Sequence, residues 1–142
     1  MKATFQLSDR ERKEIDAANA SGRQPVIFVH GLWLLAGSWQ AWADKFEAAG
    51  YAPVSADWPN DPANVADARA NPKAFVGQSI GSILAHLEKL VEALDKKPIL
   101  VGHSTGGLLV QMLAARVAAV ATVAISPAPF RGVLPLPLAA LR

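Results

Sequence analysis

The chain has 142 residues, 51% hydrophobic and 18% charged, with a formal net charge of +2 and no cysteine. That length builds one domain with its own core, while so small and scattered a positive charge argues against nucleic acid as a partner. The missing cysteine excludes disulfides, thiolate metal sites and a cysteine nucleophile, and no metal or other cofactor is expected.

The capping-box pair Ser8 and Glu11 predicts a helix over 9–20, ended by Gly22. Residues 1–24 therefore read as a helical extension and 25–142 as the main body. The continuous apolar run Val26-Ile27-Phe28-Val29 reads as a strand buried on both faces, closed by His30-Gly31. Ser38 is expected to cap a helix over 39–49, and a second strand follows over 51–56. Residues 57–72, with Pro59, Pro62 and Pro72, read as a loop. A long amphipathic helix is predicted over 76–94, with Ile80, Ile83, Leu84, Leu87 and Leu90 on its apolar face and His86 on its polar side. A third strand over 99–102, a helix over 105–118 and a fourth strand over 120–125 complete the pattern. Strands alternating with helices predict an α/β fold of about four parallel strands with flanking helices.

Gly102-His103-Ser104-Thr105-Gly106 falls between the third strand and the next helix. A strand that feeds a helix through G-x-S-x-G lifts the serine hydroxyl above the strand ends on a strained backbone. Ser104 is thus the candidate nucleophile. Gly102 and Gly106 leave room where a Cβ would meet neighbouring chain, and Gly107 adds clearance. Acyl chemistry also needs two N–H groups aimed at one oxyanion. Thr105, directly after the serine at a helix N-terminus, supplies one. The loop after the His-Gly turn supplies the other, with Leu32 the expected donor and Trp33 the second choice. His30 and Gly31 support that loop, and His103 supports the elbow.

The Phe-Val-His-Gly-Leu-Trp run paired with Gly-His-Ser-Thr-Gly-Gly resembles the N-terminal half of the α/β-hydrolase superfamily, from Pro25 onward. The pairing is similar to lipase/esterase-like and cofactor-free haloperoxidase-like members. The resemblance implies that the strand before the His-Gly loop lies beside the strand before the elbow, bringing Leu32 to Ser104. It also implies a catalytic acid and histidine on loops after later strands. No residue after Ser104 is Asp, Glu or His. Asp57 precedes the serine and has no histidine to orient, and none of His30, His86 and His103 completes a triad.

Beyond Lys97 the only charged side chains are Arg116, Arg131 and Arg142. The expectation is a truncated chain that lacks the C-terminal strands and lid. Its substrate is expected to be a small apolar ester or related acyl compound, with Trp33 and Phe130 candidate pocket residues. The competing account is a non-catalytic fragment or pseudoenzyme that self-associates, or pairs with a chain supplying the missing strands, through an exposed sheet edge. The charged N-terminus is unlike a secretory signal, and the charge-free stretch 117–130 is too short to span a bilayer. No membrane insertion and a cytoplasmic location are therefore expected.

Overall fold

The computed structural model of the chain describes residues 6–132. Four parallel strands, β1 (Gln24–Val29), β2 (Tyr51–Ala56), β3 (Ile99–His103) and β4 (Ala121–Ile125), form one sheet in the order β2-β1-β3-β4. Helices α1 (Asp9–Ser21), α2 (Gln40–Ala48), α3 (Val65–Ala70), α4 (Ile80–Glu92) and α5 (Thr105–Ala114) connect and cover them. Strands and helices alternate to make a parallel α/β fold. No helix among the described residues is long and apolar enough to cross a membrane.

The apolar run of β1 is continuous because both of its faces are covered. Ile27 and Val29 pack with Leu84, Leu87, Leu109 and Leu113 of α4 and α5, while Val26 and Phe28 pack with Trp39 and Val101 on the α2 side. Phe28 meets Trp39 with ring centroids 5.1 Å apart. The chain moves from β1 outward to β2, then crosses back over β1 to β3. The gap between the carboxyl ends of β1 and β3 is therefore the topological switch point of the sheet, the place where such folds bind ligands.

Several local expectations change. Ser38 does not cap a helix: it lies inside a 3-10 helix, Ala36–Trp39, where its N–H donates to the Leu35 carbonyl. The stretch read as loop contains α3, capped by the Asn64 side chain accepting from the Asp67 N–H. Helix α4 starts only at Ile80, because Gly77 has a φ of 84° and breaks the helix; Ser79 and Ser82 then form a capping box. Helix α5 ends at Ala114, where the N–H groups of Arg116 and Val117 converge on the Leu113 carbonyl.

His86 is buried rather than on a polar face, with Nε2 2.9 Å from Glu11 Oε1. The reason lies in α1, which seals the outer edge of β2. Residues 53, 55 and 57 present their amides to the same side of the strand. Pro53 has no N–H, Ser55 donates to Glu14 at 2.8 Å, and Asp57 donates to Glu11 at 2.9 Å. Arg10 pairs with Asp57 at 2.6 Å, and Ser8 Oγ donates to the same carboxylate. At its other end, Asn19 bonds the Ala93 carbonyl and the Asp95 N–H.

Burial alone would raise the pKa of Glu11. The hydrogen bond and charge of His86, with the N–H groups of Ser8 and Asp57, outweigh it and hold the carboxyl below its ordinary 4.5. With the folded value below the unfolded one, the unfolded chain takes up more protons as the solution is acidified. The stabilisation is whole above the ordinary value and is lost as pH falls through the folded one. Urea unfolding of wild type and Glu11→Gln between about pH 7 and pH 3 should show this. The variant is expected to be less stable by about 3 kcal/mol at neutral pH, with a flatter decline on acidification; parallel curves would remove Glu11 from the account.

Candidate functional site

All four strands point their carboxyl ends to one edge, and each is followed by a non-glycine residue with positive φ: Trp33 (66°) after β1, Asn60 (65°) after β2, Ser104 (55°) after β3 and Ser126 (42°) after β4. Such conformations cost on the order of 1–3 kcal/mol each and collect where function constrains the backbone. Ser104 (φ 55°, ψ −121°) forms the turn between β3 and α5. Three backbone bonds hold it there: its N–H donates to the Ile125 carbonyl at 3.0 Å, and its carbonyl accepts from Ala128 at 2.9 Å and Leu108 at 3.2 Å.

The glycines of the motif are close-approach positions. A Cβ on Gly102 would overlap the carbonyl of Gly106, and one on Gly106 would overlap the carbonyls of Val29 and His30. Thus the first turn of α5 rests on the end of β1. Gly107 meets Pro127, where a Cβ would lie 3.0 Å from that ring. On the other side, a Cβ on Gly31 would lie 3.0 Å from Ser104 Cβ and 3.4 Å from its Oγ. The His-Gly loop therefore packs directly on the serine. Leu32 follows Gly31, and Thr105 follows Ser104 at the N-terminus of α5, so both residues adjoin the contact between Gly31 and Ser104.

His30 is 1% exposed and both of its ring nitrogens are engaged. Nδ1 lies 2.9 Å from the Gly31 carbonyl and Nε2 lies 2.9 Å from Asp61 Oδ2, with the ring stacked on Trp58. His103 lines a separate depression of about 190 Å³ with Trp39 and Trp42. His86 belongs to the Glu11 pair. None of the three histidines is hydrogen-bonded to Ser104 Oγ among the described residues. The Asp57 carboxylate is held by Arg10 and Ser8, and no histidine among the described residues is hydrogen-bonded to it. Asp61 escaped the reading of the sequence; its only signal was the Trp-Pro-Asn-Asp turn after β2.

A groove of about 780 Å³ runs from His30 and Thr105 past Leu32 and Trp33 to a wall made by Val65, Ala68, Pro72, Phe75 and Ile80. Trp33, 97% exposed, stands at its rim. Phe130 is 45% exposed on the chain leaving β4 and lies outside the residues lining the groove. The far wall comes instead from α3, the 3-10 helix Pro72–Phe75 and the start of α4.

A parallel sheet with a strained serine at the switch point, glycine-packed against a neighbouring strand-end loop, defines the α/β-hydrolase class. Residues 26–142 match the sequence model of the Alpha/beta hydrolase family, and the chain belongs to that family. A search of the curated proteins finds no match. Among solved structures, a monoacylglycerol lipase from Paleococcus ferrophilus is similar at 26% identity and TM-score 0.60, over 82% of this chain and 44% of that one. An extracellular alpha/beta-hydrolase from a Paenibacillus species, described as homologous in structure and function to Tobacco Salicylic Acid Binding Protein 2, matches at 22% identity and TM-score 0.60, over 75% and 42%. A thioesterase domain from the curacin biosynthetic pathway matches at 24% and TM-score 0.53, over 67% and 32%. The chain thus spans less than half the length of each of these proteins.

Gly31→Ala tests the packing of the loop on the serine. Its Cβ requires a shift of a few tenths of an ångström at Ser104. The variant should remain folded by circular dichroism yet react with a phosphonate at Ser104 about tenfold more slowly or worse, since small displacements of reacting groups are costly. An unchanged rate would show that the contact does not position the serine.

Proposed function

We propose that the chain carries the nucleophile and oxyanion half of a serine hydrolase acting on a small apolar ester or related acyl compound. The observation that supports this reading is the packing of Gly31 on Ser104; the Leu32 and Thr105 amides would then face one reacting centre. The Ser104 hydroxyl would attack the acyl carbon, and the two N–H groups would receive the negative charge that develops on its oxygen. The apolar groove would hold the acyl or leaving group, its volume within the range of small-molecule sites. The monoacylglycerol lipase, an enzyme of acyl esters by name, supports the substrate class.

Activation of the hydroxyl calls for a histidine and an acid. None of the three histidines is hydrogen-bonded to Ser104 Oγ among the described residues, and no Asp, Glu or His follows Ser104 in the sequence. We therefore assign the base and its acid partner to protein beyond this sequence, and only very slow turnover to the chain by itself. A second reading, association through the sheet edge, is favoured by β4, which among the described residues ends the sheet with Ala121, Thr122 and Val123 exposed. Sedimentation at micromolar concentration as a monomer would count against it.

An alkyl aryl phosphonate provides the direct test: its good aryloxide leaving group lets Ser104 Oγ, even without a base, form the O–P bond slowly as aryloxide departs, leaving a stable tetrahedral adduct. Mass spectrometry should place the adduct on Ser104 and find none in Ser104→Ala. Extending the alkyl group from about two to about six carbons should accelerate labelling tenfold or more, as each buried methylene contributes about 0.8 kcal/mol. Labelling indifferent to chain length would remove the groove from the site. Equal labelling of Ser104→Ala would remove the serine.

A further inference from the structure

We infer that Asp61 is a positioning residue for the oxyanion donor, acting through His30 on the peptide between Gly31 and Leu32. This inference rests on the proposed roles of Ser104 and the Leu32 amide.

The chain of contacts is short and buried. The Asp61 side chain is 1% exposed, and its Oδ2 lies 2.9 Å from His30 Nε2 and accepts from the Trp58 N–H at 2.8 Å. The turn that carries it is closed by the Asp61 N–H to the Trp58 carbonyl at 3.0 Å, with Asn60 left-handed between them. Gln78 braces the same turn from the far side by donating to the Pro59 carbonyl at 2.6 Å. Trp58 stacks on the His30 ring at 4.8 Å, which fixes the ring plane. Held in this way, the ring directs Nδ1 at the Gly31 carbonyl, 2.9 Å away.

The consequence lies in the peptide plane. No peptide in the described chain is cis, so the Gly31 carbonyl and the Leu32 N–H point in opposite directions from one rigid unit. Fixing the carbonyl on His30 fixes the direction of the N–H. Among the described residues, the only other bond to that carbonyl is a longer one, 3.3 Å from the Leu34 N–H, in a turn that carries the positive φ of Trp33. Without the ring, the peptide is free to rotate and withdraw the donor. A carboxylate on an imidazole also has the composition of a catalytic acid–base pair. Here the second ring nitrogen is occupied by a backbone carbonyl and not by Ser104 Oγ, so the pair braces the loop.

The test uses the 142-residue chain as wild type, Asp61→Ala, His30→Ala and the double variant, with folding checked by circular dichroism. Two readouts are taken: the rate of Ser104 labelling by the alkyl aryl phosphonate, and the residual dipolar coupling of the Leu32 N–H by nuclear magnetic resonance. In Asp61→Ala, labelling should fall about tenfold or more, short of the roughly hundredfold or greater loss that follows removal of an oxyanion donor outright. The Leu32 coupling should change while those of Val26 to Val29 stay fixed. The double variant should label no more slowly than His30→Ala, because two residues acting through one contact are not additive. Asp61→Asn, which keeps an oxygen for the Trp58 N–H, should recover part of the rate. A folded Asp61→Ala with an unchanged Leu32 coupling overturns the inference; if its labelling is nevertheless lost, His30 acts as a base and not as a brace. Should wild type label no faster than Ser104→Ala, the reading of the serine fails, and the Leu32 coupling still decides whether Asp61 sets the peptide.

Discussion

The site depends on one backbone contact, the seating of the first turn of α5 on the end of β1. Gly106 lies against the carbonyls of Val29 and His30 so closely that any side chain there would displace the helix. Adjacent parallel strands already bring their carboxyl ends to one line. What the missing Cβ adds is the closure of the remaining space between the turn after β3 and the loop after β1. Gly31 then meets Ser104 on the same side, and the serine is held from both flanks. Gly102 and Gly107 follow from the same requirement, since a helix drawn onto β1 must also clear its own entering strand and Pro127.

This closeness has a cost that the rest of the sheet offsets. Four strained residues stand at four strand ends, each in a conformation that its side chain disfavours except in part for Asn60. They persist because the strands beneath them are rigid. Val26, Ile27, Phe28 and Val29 are fully buried between two helical layers, so β1 cannot relax to relieve the loop above it. The strain at Ser104 is further opposed by its bonds to Ile125 and Ala128, which tie the turn to the end of β4. The edge strand thus helps hold the candidate site even though its outer side is exposed.

How much of this could be read from the sequence depended on the range of the interaction. The strands were legible because burial on both faces writes a continuous apolar run, as in Val26 to Val29. The G-x-S-x-G turn and the His-Gly loop were legible from the local spacing of each motif, although Gly106 and Gly31 serve contacts with residues distant in sequence, Val29 and His30 for the one and Ser104 for the other. Helix starts were less so: Gly77 breaks the pattern that the apolar spacing of α4 would extend, and Ser38 resembles a cap while lying inside a 3-10 helix. The burial of His86 was illegible from its own helix, because its partner Glu11 is 75 positions away. Asp61, 31 positions from His30, looked like an ordinary turn residue for the same reason. Pairings between distant charged or polar side chains leave no periodic trace.

The two hidden pairs have one place in common. The amides of the consecutive residues Asp57 and Trp58 donate to Glu11 and Asp61, and each of those carboxylates also holds a buried histidine, His86 on one side and His30 on the other. The chain leaving β2 is therefore gripped between α1 and the His-Gly loop. Buried carboxylate–imidazole pairs are poor sources of net stability, because desolvation consumes most of their attraction. They do fix geometry, since removing either partner leaves a buried group unsatisfied. Their placement on adjacent amides means that α1, remote from Ser104 in sequence, bears on the same turn that carries Asp61. A helix that seals the edge of β2 is in this way joined by an unbroken run of hydrogen bonds and one backbone step to the loop that packs on the serine.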